Sequence, residues 1–514
     1  MGFLARERGT SRLSPVSPGF PNAYTYDASS NRTGFTDPES GSTSYVYDTL
    51  NRLTALTPPS AFSGGSAFGF SYDALSRRTQ MTRPNSVTTN YTYDNLSRLL
   101  SVLHQEGGST IDGASYTLDS AGNRTAKVDD LASVTSDYTY DPIYELTQVT
   151  QAATTTESYT YDPVGNRTAS LGVSSYTTNA SNELTSDSEA SYAYDYNGNT
   201  TSKTDSTGTT NYSWDYENRL TSVTLPDSGG TVTLKYDPFG RRIYKQSPTA
   251  TSVFAYDADN LIETVNSSGG VVARYTQDRD IDEPLAMMRG TITDYYEQDG
   301  IGSVTSLSSF AGALVQTYTY DSFGSTTNSS GSLTNFFRYA AREFDTETNL
   351  YDYRARYYDP GAGRFIKEDP IQFGSGDPNF YDYVENDATN YTDPTGRLRY
   401  PGTNWCGPNW TGGRVEEYDP AHANLYKPPT NRYDTVCMHH DICYFNCRSA
   451  HPCDPKGRSN CFKTCDQIFV GEMPGWGFTP DFLTDVIFWH GKFGPSPEAN
   501  RPDLAPGGCC GAKP

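Results

Sequence analysis

A chain of 514 residues with 61 acidic against 39 basic side chains has a formal charge of −22 and room for several domains. That balance excludes a general nucleic-acid binder, which needs clustered lysine and arginine to neutralise phosphates, and no stretch reaches the ~18–20 apolar residues of a membrane-spanning helix. Residue types are split: 35 of the 40 tyrosines precede Gly396, whereas all nine cysteines and five of the six histidines follow it, so two unlike proteins meet near that glycine.

Residues 1–20 contain arginines but no apolar centre of a Sec leader, and read as a disordered lead-in. From 21 to 290 a short unit recurs: aromatic, any residue, aromatic, Asp, a few residues, then Asn-Arg or Ser-Arg. It stands as YTYDASSNRT (24–33), YVYDTLNRLT (45–54), YTYDNLSRLL (91–100) and YTYDPVGNRT (159–168), with WDYENRLTSV (214–223) as a variant. The repeat aspartates run from Asp27 through Asp48, Asp73, Asp94 and Asp119 to Asp257, mostly 20 to 25 apart. Tyr-x-Tyr alternation is strand chemistry, and Asp followed by Gly, Asn, Pro or Ser is turn chemistry. Each unit is therefore a short hairpin that buries its face only by stacking on its neighbours, which predicts a long antiparallel sheet wound in a spiral.

This pattern resembles the YD repeats of the Rhs family, relatives of the insecticidal toxin-complex C subunits and of teneurins, over roughly residues 20–396. The resemblance implies a hollow shell enclosing a C-terminal toxin; about eleven repeats are too few to close one, so the chain is expected to be part of something longer. It also implies a delivery apparatus and a cognate immunity protein as partners, and a chain secreted or delivered into target cells.

Residues 291–396 depart from the simple period and resemble the Rhs-associated core. There the family cuts itself just after the second of two Asp-Pro-x-Gly motifs, with two aspartates sharing a proton. Asp393-Pro394-Thr395-Gly396 matches the second motif; Asp369-Pro370-Ile371-Gln372 matches the first with Gln372 in place of glycine. Read without the resemblance, both Asp-Pro pairs are turn starters.

The tail, 397–514, carries 12 basic and 12 acidic residues, and its crowded cysteines predict disulfides and an oxidising destination. NWCGPNWTGG (404–413) reads as a tight loop. After Pro428-Pro429, Thr430 or Asn431 can cap a helix running to Cys447; it would place His440, Cys443 and Cys447 on one stripe and Cys437, Asp441 and Tyr444 on the next. A second helix is expected from about Asn460. Three readings fit these residues: a zinc site of Cys437, His440 and Cys443, although no C-x₂-C pair exists; a purely structural disulfide domain; or a hydrolytic site with a general base beside a calcium ion.

C-M-H-H-D-I-C-Y (437–444) resembles the C-x-x-H-D-x-C-Y signature of secreted phospholipase A2, W-C-G-P-N (405–409) that family's calcium loop, and Cys465-Asp466 the Cys-Asp of its second active-site helix. The resemblance implies a small disulfide-rich α-helical domain in which His440 is the general base, oriented by Asp466, with Tyr444 bonded to that aspartate. It implies a Ca²⁺ cofactor held by Asp441 and the carbonyls of Trp405, Gly407 and Asn409, bridges Cys406–Cys437 and Cys443–Cys465, and membrane phospholipids as substrate. Asn409 stands where the family has glycine, and the family's doubled cysteine is Val436-Cys437 here. The expected whole is a mainly β YD-repeat spiral sheet, a partial Rhs shell, followed by that domain. The rivals are a non-enzymatic adhesion protein with a degenerate cysteine-rich cap, and a toxin nuclease using His439 and His440.

Overall fold

The computed structural model describes residues 22–397 apart from 63, 64 and 376, together with two short strands, Trp410–Thr411 and Arg414–Val415. The chain divides into two units, Met1–Pro401 and Gly402–Pro514. In the second, the two short strands pair antiparallel, Trp410 opposite Val415. Residues 1–20 and both helices expected in the tail lie outside the described residues.

The first unit is antiparallel β, as the tyrosine alternation predicts. A 14-stranded sheet runs in chain order from Ala23–Tyr26 to Arg167–Ser170, and a 16-stranded sheet from Tyr176–Thr178 to Thr326–Gly331. The hairpin run thus continues past residue 290, through Asp-led turns at Asp299 and Asp321. A four-stranded sheet, from Glu343–Asp345 to Arg364–Phe365, belongs to the core block.

Local chemistry explains the repeat. In the turn at Asp48 the backbone N–H of Asp48 donates to the Arg52 carbonyl, and Oδ1 of Asp48 accepts the N–H groups of Leu50 and Arg52. This closes the hairpin within five residues. The residue three after the aspartate has a left-handed backbone, φ 58° at Asn51, 65° at Ser97 and 79° at Gly165, which is why Asn, Ser and Gly occupy that place. The next residue reaches back: Arg52 Nε lies 2.7 Å from Asp48 Oδ2 and its Nη1 3.1 Å from the Asp73 carbonyl of the following unit. The second tyrosine ties to the preceding unit, Tyr47 Oη to the Arg32 carbonyl at 2.8 Å and Tyr72 Oη to that of Leu53 at 2.7 Å. Each unit is thereby bonded to both neighbours.

Tertiary packing layers the sheets. Ala255, Ile262, Met288 and Tyr295 of the second sheet bury against Phe35, Leu56, Phe68 and Met81 of the first. Their opposite face, with Phe254, Leu261 and Met287, meets Tyr318 and Phe337. Ion pairs cross between layers, Arg78 to Asp278 at 2.6 Å and Lys127 to Asp299 at 3.2 Å. The core block then docks on successive Asp-led turns: Asn386 on Glu145 and Gly165, Asn379 on Asn166, Tyr381 on Gly198 and Lys367 on Asn218.

These seams bury carboxyl groups, and the cost of burying charge makes them pH-sensitive. Burial pushes Glu145 up to about 8 against the opposing Asn386 amide, and Glu297 up to about 8 against Arg83. Both folded values exceed the ordinary 4.5, so the neutral acids favour the fold, and that contribution is lost as pH rises through the folded values. The urea midpoint of the full chain is therefore expected to fall from about pH 4.5 to about pH 8. A midpoint that climbs over that window would contradict the assignment.

Candidate self-cleavage site

The strand Arg356–Asp359 carries a guanidinium into the middle of the core block, where it lies over the Phe365 ring at 3.5 Å from the centroid. Its nitrogens are divided among four acceptors. Nη1 donates to the Phe380 carbonyl at 3.0 Å, and Nη2 lies 3.1 Å from both Asp369 Oδ2 and Asp393 Oδ2. Nε donates to the carbonyl oxygen of Gly396 at 2.6 Å. The two aspartates singled out in the sequence, 24 positions apart, therefore meet at a single nitrogen. They are 3% and 1% exposed, so water does not screen them from one another.

Each aspartate also opens a turn, which is the structural role that the Asp-Pro pairs have in any chain. Asp369 Oδ1 accepts Ile371 N–H at 2.9 Å. Asp393 Oδ1 accepts the N–H groups of Thr395 at 3.2 Å and Arg397 at 3.1 Å. The fourth motif position is left-handed in both: φ is +66° at Gly396 and +47° at Gln372. Glycine is favoured there for that reason, and Gln372 occupies the same conformation at some steric cost. At Gly396 a side chain would also strike the Tyr353 carbonyl.

Burial raises the Asp369 carboxyl above its ordinary range, with the Arg356 guanidinium opposing and the Asp393 charge adding to the rise. Burial likewise lowers Arg356 against the pull of both aspartates. Lys367 is pushed down to about 8 by burial, with Arg356 and Arg397 contributing, while its Nζ rests 2.7 Å from the Asn218 carbonyl. The arrangement can hold one proton on a carboxyl pair and place a cationic donor on a peptide carbonyl. Sequence reading missed Arg356; the signal was the need of two buried aspartates for a cation, answered by one of the arginines in YRARYYDP (353–360).

The tail candidates, His440, Asp466 and Tyr444, the calcium set Trp405, Gly407, Asn409 and Asp441, and Cys406, Cys437, Cys443 and Cys465, lie outside the described residues. Among the described residues no group of three or more His, Cys, Asp or Glu is placed to hold a metal ion, and no helix is long and apolar enough to cross a membrane.

Comparison with known proteins bears on the first unit. The family described as Teneurin YD-shell matches residues 122–387, and RHS Repeat matches residues 24–61. The chain is 31% identical over 236 residues to the tRNA nuclease WapA of Bacillus subtilis (strain 168), covering 43% of this chain and 10% of that protein. It is 26% identical over 211 residues to the double-stranded DNA deaminase toxin A of Burkholderia cenocepacia (strain H111), covering 34% of this chain and 15% of that one. The chain thus spans about a tenth of the length of the first of these relatives. Among solved structures, the Photorhabdus luminescens Tc holotoxin pore superposes with a TM-score of 0.62 at 20% identity, over 76% of this chain and 22% of that one.

Proposed function

This chain belongs to the Teneurin YD-shell family, and from that premise we propose that it is the carrier and effector part of an Rhs-type polymorphic toxin that cuts its own backbone after Gly396. The observation carrying the reading is Arg356, whose guanidinium contacts Asp369, Asp393 and the Gly396 carbonyl at once. In the proposed step one carboxylate, Asp393, takes a proton from water, and the water oxygen bonds to the Gly396 carbonyl carbon. Arg356 Nε–H carries the charge developing on the carbonyl oxygen. Asp369, raised by burial, gives its proton to the Arg397 nitrogen as the C–N bond breaks. The products are a shell ending at Gly396 and a fragment of residues 397–514. Since the acid must be protonated, the rate falls as pH rises through the Asp369 value.

For the released fragment the phospholipase A2 signature supports a calcium-dependent hydrolase of the sn-2 ester of glycerophospholipids, with His440 as base, Asp466 and Tyr444 behind it, and Asp441 with the loop carbonyls around Ca²⁺. A nuclease using His439 and His440 is the second reading. It is favoured by the name of a relative that is a tRNA nuclease, and a second relative, a deaminase, is named for double-stranded DNA, which returns nucleic acid to the substrates to be tested, whereas the charge-neutral tail counts against a nuclease. An immunity protein and a delivery apparatus complete the proposal. The expected result is lysolipid release from phosphatidylcholine liposomes by the self-cleaved chain, abolished by chelator and reduced at least ~100-fold by His440→Gln. Degradation of tRNA or plasmid with no lysolipid would replace the lipase reading by the nuclease.

A further inference from the structure

We propose that Arg354 is a positioning residue for the cut after Gly396, held in place by Asp282 of the second repeat sheet, so that seating the core block on the repeats completes the cutting geometry. This role rests on the self-cleavage reading.

The strands Leu350–Tyr353 and Arg356–Asp359 pair with Tyr353 opposite Arg356, so Arg354 and Ala355 form a two-residue hairpin loop. That loop runs against the Asp393–Gly396 turn and takes its carbonyls one by one. Arg354 Nη1 donates to the Pro394 carbonyl, the Ala355 N–H to that of Thr395 at 3.2 Å, and Arg356 Nε to that of Gly396 at 2.6 Å. Three consecutive residues thus hold three consecutive carbonyls, which sets the register in which the turn meets the two aspartates. The approach is close: a side chain at Gly396 would strike the Tyr353 carbonyl and the backbone nitrogen of Arg356. Misplacing a reacting bond by about 1 Å costs up to ~10²-fold in rate, so the outer member of this set, Arg354, bears on the cut without touching the peptide that breaks.

Arg354 is itself held from the repeats. Asp282, in the loop between the strands Val271–Gln277 and Pro284–Arg289, takes its guanidinium as a fork, Oδ1 from Nη2 at 2.8 Å and Oδ2 from Nη1 at 2.9 Å. Nη2 also donates to the Asp259 carbonyl at 3.2 Å. A forked pair fixes the guanidinium plane, where a single contact would let it turn. Both partners have left-handed backbones, φ +61° at Arg354 and +64° at Asp282, although neither is glycine. Asp352 Oδ1 secures the first by accepting the Arg354 N–H at 2.7 Å. Backbone held there against steric preference is a feature of sites where the geometry is used. Asp282 also accepts from Arg342, whose Nη2 donates to the Asp352 carbonyl at 2.6 Å, so the same acid steadies the base of the hairpin.

The test is a time course of cutting in the full chain after a short pulse of cell-free synthesis. Thermal midpoints are compared in the Asp393→Asn background, where the chain stays whole. Arg354→Met, which keeps the length and loses the donors, should slow the cut roughly tenfold or more, and Arg354→Lys should recover part of the rate because an ammonium still reaches the Pro394 carbonyl. Asp282→Asn should also slow the cut, and the double variant should lose less rate than the two single losses combined, since the acid acts largely through the arginine. If Arg354→Met fails to fold, Asp282→Asn carries the test, and an unchanged rate there overturns the proposal. A wild type that is cut while Arg354→Met is cut equally fast would overturn it and leave the self-cleavage reading standing; a wild type that stays whole would overturn both. Arg354→Lys as slow as Arg354→Met, with additive losses in the double variant and equally lowered midpoints, would reduce Arg354 to a packing contact and overturn the proposal as well.

Discussion

A chain carrying Asp393→Asn is expected to run as one band on a denaturing gel, where the wild type separates into a shell and a fragment of residues 397–514. Asparagine keeps the shape of the turn, because its side-chain oxygen still accepts from Thr395 and Arg397, but it cannot take a proton from water. Loss of one acid–base partner removes roughly 10²–10⁴ of rate, enough to hold the chain intact for hours to days if the wild type cuts within minutes. Asp369→Asn should behave alike through loss of the proton donor. Arg356→Lys keeps a charge between the aspartates but loses the planar fork that also reaches Gly396, so a slowed yet measurable cut is expected. Mass spectrometry of the fragment should give Arg397 as its first residue. A wild-type chain that stays whole, or a first residue far from Arg397, would remove the basis for the proposed chemistry.

Arg242→Ala should be the most damaging single change to the stability of the repeat–core unit. Its fully buried guanidinium meets Glu343 at 2.8 Å, Asp345 at 2.5 Å and Asp352 at 3.2 Å, with Lys245 adding a second cation 2.9 Å from Asp345. Truncation leaves three buried carboxyls without their shared cation, with only Lys245 still paired to Asp345 and with Arg342 nearby on the Asp352 carbonyl, and breaking such a network by removing one partner costs about 3–5 kcal/mol. The loss should shrink at mildly acidic pH, because the stranded acids can then take up protons; burial already pushes the Asp352 carboxyl above its ordinary range even with Arg242 beside it. Urea midpoints of wild type and variant at neutral and acidic pH check both statements. Equal midpoints at neutral pH would mean that the network contributes no net stability, as buried ion pairs sometimes do when compared with apolar replacements.

The parts of this molecule that were legible in advance are those whose partners lie within a few residues. The Asp-led turn needs only Asp48, Leu50, Asn51 and Arg52, so its residue types recur wherever the turn does. Tyr-x-Tyr alternation likewise announced strands paired in chain order, and Asp369 and Asp393 were named because a short motif marks each. Gln372 looked like a defect of its motif; its left-handed backbone shows what the missing glycine would have supplied.

What lay beyond the sequence depends on which faces meet after the sheets are layered. Arg356 stands 13 residues before Asp369 and 37 before Asp393, and nothing in its neighbourhood distinguishes it from Arg354. Only the folded core block brings its nitrogens to both acids and to the carbonyl of Gly396. The same holds for Arg242 with the acids of 343–352, and for Arg354 with Asp282. A hairpin is specified by local hydrogen bonds, so the amino-acid order by itself determined the repeats; a buried charge is specified by whatever opposite charge burial places against it, and that was decided by tertiary packing alone.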